Sequence, residues 1–169
     1  YKPLLDTLLH IAFEAAAAQH LPVQFHVGYG DPDVDIRRAS PLELRALFDE
    51  PAYRSMPIVM LHGCWPYFRE GAYLAAVYGN AYLDVSYSIP FLSRPALTSM
   101  TMAALGPAPF SKVMYSSDGV GIPELHWMVA TDARQVIGTV LGAVVGAREP
   151  ADGEADDGAP LTLPAPPGR

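Results

Sequence analysis

Five polar residues fall where a chain of alternating strands and helices would put its chemistry. His26 stands near the end of one short apolar run and His62 ends a second. Asp84 and Ser86 lie near the end of a third, and Asp118 directly follows a fourth. Imidazole and carboxylate are the usual protein ligands of a catalytic zinc or similar divalent ion. Two histidines and an aspartate could hold such an ion and activate a water molecule. Any one of them alone reads more simply as a hydrogen-bonded loop residue; their recurrence at successive strand ends is what points to function. Asp84 could orient a ligand from below or accept a backbone hydrogen bond, and the structural role is the simpler. His10 and His20 sit on a helix and at its exit, as structural or solvent residues. His126, close in sequence to Asp118, is a candidate substrate-side residue. Cys64 follows His62 by two positions, a weak signal for a Cys-His pair.

These positions need elements to carry them. Leu4 to His20 has helical spacing and strong helix formers. Short strands are expected at 23–27, 57–62, 81–86 and 112–117. The second is a continuous apolar run, which suits a parallel strand buried on both faces. Ser40-Pro41-Leu42-Glu43 has the form of a capped helix start. Further helices are expected from Pro66 to Tyr78, from Pro95 to Leu105, and from Glu124 to about Ala147. Strands separated by helices argue for a parallel α/β sheet, whose functional face lies at the strands' carboxyl ends. Four such units make either a small open domain or half of an eight-stranded barrel, which typically needs about 250 residues. Residues 148–169 are acidic and proline-rich without periodicity, and a disordered tail is expected there.

Composition removes several classes of function. The chain has 169 residues, a net charge of -7, and only 11 lysines and arginines. That is a poor match to a nucleic-acid backbone. A single cysteine excludes an intrachain disulfide. No signal-like start is present, and the apolar run from Val136 to Ala147 is shorter than the roughly 20 residues of a membrane span. A cytoplasmic protein without a membrane segment is the expectation. Asp31-Pro-Asp33-Val-Asp35 opens like a calcium loop, but Ile36 and Leu42 stand where it needs glycine and glutamate. Gly28-Tyr-Gly30 lacks the third glycine of a dinucleotide site. There is no P-loop and no nucleophile elbow. Trp65 and Tyr67 begin their helix at the functional face, and are candidate ligand contacts.

Five segments together resemble a known family: Pro22-Val-Gln-Phe-His-Val-Gly-Tyr-Gly30, Met60-Leu-His-Gly-Cys-Trp-Pro-Tyr67, Ala72-Tyr-Leu-Ala-Ala76, Asn80-Ala-Tyr-Leu-Asp-Val-Ser86 and Phe110-Ser-Lys-Val-Met-Tyr-Ser-Ser-Asp118. In order and spacing they resemble the carboxyl-terminal half of amidohydrolase-related proteins, metal-dependent hydrolases of the TIM-barrel type. The nearest branch is like the amino-terminal domain of glutamine-synthetase fusion proteins. The resemblance implies an α/β fold, the C-terminal half of a TIM barrel, with strands five to eight inside residues 1–147. It implies that His26 and Asp118 bind a divalent metal, zinc by the family's habit, with His62 as a third ligand or as the group that polarises the substrate. Asp118 would be the base for the attacking water.

The implied reaction is hydrolysis of a C–N or related bond in a small-molecule substrate. Sister branches suggest decarboxylation as an alternative. The family's His-x-His pair from its first strand does not occur here. The expectation is therefore a segment that is incomplete and inactive alone, with weak or absent metal binding. Its missing N-terminal half, or a second copy in a homo-oligomer, would complete it. The rival reading is a non-catalytic half-barrel remnant that survives by such pairing.

Overall fold

The computed structural model describes residues 1–86 and 91–146. The expected tail at 148–169 lies outside the described residues. Four parallel strands form one sheet in the order β1 (Val23–Phe25), β2 (Ile58–Met60), β3 (Ala81–Asp84) and β4 (Val113–Met114). Helices alternate with them: α1 (Lys2–Ala18), α2 (Arg45–Asp49), α3 (Phe68–Val77), α4 (Arg94–Leu105) and α5 (Pro123–Gly146). This is the α/β arrangement of a partial (β/α) barrel: the alternation predicted the parallel sheet, and the family resemblance implied the barrel half.

The sheet register divides its residues into two faces. Val23, Ile58 and Ala81 are level with one another, as are Phe25, Met60, Leu83 and, on β4, Val113. Parallel neighbours in register point to the same side. Ile58, Met60, Ala81 and Leu83 are wholly buried, in one core with Ala72, Leu74 and Ala75 of α3 and Leu97 and Met100 of α4. Gly71 permits the closest approach there: a Cβ at that position would lie 2.6 Å from Cys64 Sγ and 3.3 Å from Leu83. The opposite face carries Gln24, Val59, Tyr82, Asp84 and Met114, and Gln24 and Met114 are exposed. This inner face opens into the cleft described below.

The strands are shorter than expected, and left-handed residues follow two of them. After β2, His62, Gly63 and Cys64 all take positive φ, at 61°, 58° and 57°. After β4, Asp118 does the same at 51°. The predicted helix start at Ser40 is half right. Ser40 Oγ accepts from the Leu42 amide, but Pro41–Leu44 is a tight 3-10 turn before α2 begins.

Two helices pack differently from their composition. The leucines that mark α1 in the sequence, Leu4, Leu5, Leu8 and Leu9, are all exposed; the helix docks through Phe13, against Tyr53 and Phe25. Among the described residues α5 is the one helix long and apolar enough to cross a membrane by length and composition. It instead buries the stripe Val129, Ala133, Val136 and Val140 in the core, and Arg94 of α4 pairs with its Asp132 at 2.5 Å.

Candidate functional site

His26 follows β1 directly, and the loop after it is pinned to the β2 loop. The Tyr29 amide donates to the Trp65 carbonyl at 2.8 Å, and the Gly28 amide to Ala39 at 2.8 Å. Gly28 has φ of +86°, and a Cβ there would sit 2.1 Å from the Trp65 carbonyl oxygen. Only glycine fits this crossing. His26 Nε2 lies 2.6 Å from the Tyr29 carbonyl oxygen. A carbonyl only accepts, so Nε2 carries a proton, and Nδ1 is the ring nitrogen left to act as a ligand.

His62 is the most enclosed of the three predicted ligands, at 6% exposed. Its ring centroid is 4.3 Å from that of His26 and 5.6 Å from Tyr29. Nδ1 lies 2.8 Å from Ser86 Oγ and 3.7 Å from Asp118 Oδ2. Burial, then the neighbouring His26, hold its pKa below the usual histidine value of 6.5, against the pull of Asp118 and Asp84. The ring is therefore neutral at physiological pH.

Asp84 sits beneath, 4% exposed. Ser116 Oγ donates to its Oδ2 at 3.1 Å, while Oδ1 has no hydrogen-bond partner among the described residues. Burial pushes its carboxyl above the usual range, and hydrogen bonds from Ser86 and Ser116 partly offset this. Asp118 is the accessible carboxylate, with 35% of its side chain exposed. Beside it, Ser117 Oγ and His126 Nδ1 are 2.6 Å apart, and the imidazole lies over Gly119, where a Cβ would meet it at 2.6 Å.

His62, Asp84, Asp118 and His126 line one cleft of about 510 Å³ at the carboxyl ends of the strands, with Gln24, Leu61, Ser116 and Ser117. His26 touches His62 but opens onto a neighbouring hollow beside Gly28, Asp31 and Asp33. Trp65 and Tyr67 do not line the cleft. Trp65 meets Tyr29 and Phe91 edge-on, and Tyr67 OH donates to the Ile36 carbonyl at 2.8 Å. Cys64 is buried, its thiol pushed far up by burial and then by Glu70 and Asp84, so it is a packing group rather than a nucleophile. An apolar cavity of about 240 Å³ lies between α4, β4 and α5, and holds no imidazole or carboxylate.

Sequence reasoning missed the second row of partners. Tyr29 stacks on Phe91 at 4.2 Å and 10°, forming with Trp65 an aromatic wall beside the histidines. Ser116 and Ser117 hold Asp84 and His126. The run Tyr-Ser-Ser-Asp at 115–118 was the available signal: two hydroxyls immediately before a candidate ligand.

A family profile described as amidohydrolase matches residues 2–156. The chain belongs to the amidohydrolase family. Protein fluG of Emericella nidulans is 33% identical over 145 residues, covering 83% of this chain and 16% of fluG. A crystal structure from Lactobacillus casei, of a protein described as a candidate metal-dependent hydrolase, superposes with a TM-score of 0.64 at 31% identity. That match covers 80% of this chain and 35% of the Lactobacillus protein. The chain thus spans a minor part of both relatives. For this amidohydrolase-family segment, donors of the right kind stand at the strand ends. In number they fall short: among the described residues no three His, Cys, Asp or Glu side chains come close enough to share a metal ion.

Proposed function

We propose that this chain carries part of the active site of a metal-dependent hydrolase acting on a C–N or related bond in a small molecule. The observation that carries the reading is the His62–Asp118 pair, 3.7 Å apart in a strand-end cleft with His26 against His62, in an amidohydrolase-family chain. His26, through Nδ1, and Asp118 would hold a divalent ion, with zinc our choice from the donor types. Such an ion, when bound, lowers the pKa of water.

The chain's own residues supply the rest. Asp118 is exposed enough to take a proton from water in the cleft. His62 is a third ligand or polarises the substrate oxygen. His126, fixed by Ser117, faces the same cleft from the substrate side. Trp65, through the aromatic wall it shares with Tyr29 and Phe91, borders the approach to the histidines. We place the protein in the cytoplasm, in the branch like the glutamine-synthetase fusion proteins.

Completion of the site is part of the proposal. The donors fit in kind but not in number, so further ligands must come from outside residues 1–146 of this chain. On the inner sheet face the marginal residues Gln24 and Met114 are exposed, as are the α1 leucines, which supports closure by four further strands, from a preceding half or a second copy. In a closed barrel containing this segment, His26→Ala and Asp118→Asn should each lower metal content and C–N hydrolysis about 10-fold or more, since loss of even outer-shell support costs 10–100-fold. Metal content unchanged by both substitutions overturns the assignment.

A further inference from the structure

Ser86 has no part in the reaction described above, yet it is 3% exposed and stands at the centre of the site's hydrogen bonding. Its Oγ lies 3.2 Å from the His62 amide nitrogen and 2.8 Å from His62 Nδ1. The amide can only donate, so one lone pair of Oγ is committed to the backbone. The contact with Nδ1 is open to two arrangements. Either the hydroxyl donates to a bare Nδ1, or Nδ1–H donates to the hydroxyl.

The charge around the ring decides between them. Asp118 Oδ2 lies 3.7 Å from the same Nδ1. A bare Nδ1 would set its lone pair near a carboxylate oxygen, which is repulsive; a protonated Nδ1 sets a positive N–H there. Ser86 Oγ can accept this proton together with the amide hydrogen. Its own hydrogen is then free to turn towards Asp84, the buried carboxyl two residues back at the end of β3.

We propose that Ser86 is a positioning residue that holds His62 as the Nδ1–H tautomer and leaves Nε2 as the bare ring nitrogen. The inference rests on the reading of the cleft as a hydrolase site, and it separates the two roles left to His62. A bare Nε2 binds a divalent cation or accepts a proton. It has no hydrogen with which to polarise a substrate carbonyl.

The test is a long-range proton–nitrogen correlation spectrum of the metal-free, nitrogen-15-labelled chain at pH 7.5, with the ring of His62 assigned by its loss in His62→Gln. The wild type should show a protonated Nδ1 and a bare Nε2. Ser86→Ala should change the tautomer ratio by about 5-fold or more, the worth of one ordinary hydrogen bond, and Ser86→Thr should restore it. A wild-type ring protonated at Nε2, or a ratio unmoved by Ser86→Ala, overturns the proposal. Should the Ser86 variants fail to fold, the wild-type tautomer decides alone. Zinc added to the same sample tests the hydrolase reading separately. Ring signals of His26 and His62 that ignore zinc would count against that reading and leave the tautomer result standing.

Discussion

The middle of the sheet and its two margins are built by different rules. In the middle, β2 and β3 each pair on both sides, and Ile58, Met60, Ala81 and Leu83 are wholly buried under α3 and α4. At the margins, β1 and β4 each pair on one side. The functional groups follow the same division. His62, Asp84 and Ser86, from β2 and β3, are buried and held. His26 and Asp118, from the marginal strands, are the exposed ones. The difference teaches that this segment fixes its central polar groups unaided and leaves its outer candidate ligands on edges that unpaired strands do not support.

The largest effect is expected where the middle is most tightly packed. Leu83→Ala removes a wholly buried side chain shared by the sheet and α3. It should cost about 2–5 kcal/mol, measured by urea denaturation. A loss below about 1 kcal/mol would mean the centre is not the rigid part. Next comes the joint between middle and margin. Gly28→Ala forces a Cβ against the Trp65 carbonyl at positive φ. It should destabilise by about 1–3 kcal/mol and shift the amide signals of both loops. An unperturbed Trp65 loop would show that the joint is loose.

A smaller effect should appear with pH. The folded pKa of His62 is below 6.5. Between that folded value and 6.5 the unfolded chain binds more protons than the folded one, so stability rises with pH across this window and is lost on acidification through it. Above the window the contribution is flat. Thermal melts from pH 7.5 downward should show this loss, and His62→Gln should remove its share; an unchanged profile in the variant would refute the shift. The smallest effect is expected at the margin. Leu8→Gln on the open face of α1 should change stability by no more than about 0.5 kcal/mol. A larger loss would show that this face is covered in solution.

The sheet was legible because its signal is repeated. Ile58 to Met60 is a continuous apolar run, and each strand is followed by a helix of recognisable pattern. The strand ends were not legible. Left-handed φ at His62 is a property of the backbone that its side chain does not announce, and it falls inside the second expected strand; the same φ at Asp118 lies just past the fourth. The leucines of α1 made the helix readable and misled about its packing, since Phe13 docks it. At the site, the candidate ligands could be named from spacing. The contact between His62 and Ser86 crosses 24 positions between two strand ends, and nothing in a local pattern records which hydroxyl will meet which ring. The same holds for Tyr29 on Phe91.

The central claim is that the marginal ligands His26 and Asp118 form a metal site that this chain leaves unfinished. Calorimetric titration of the folded chain with zinc tests it most directly. The account predicts weak binding, micromolar or looser by order of magnitude, weakened further by His26→Ala and by Asp118→Asn. Tight stoichiometric binding by the chain alone, or binding that both substitutions leave unchanged, would contradict it.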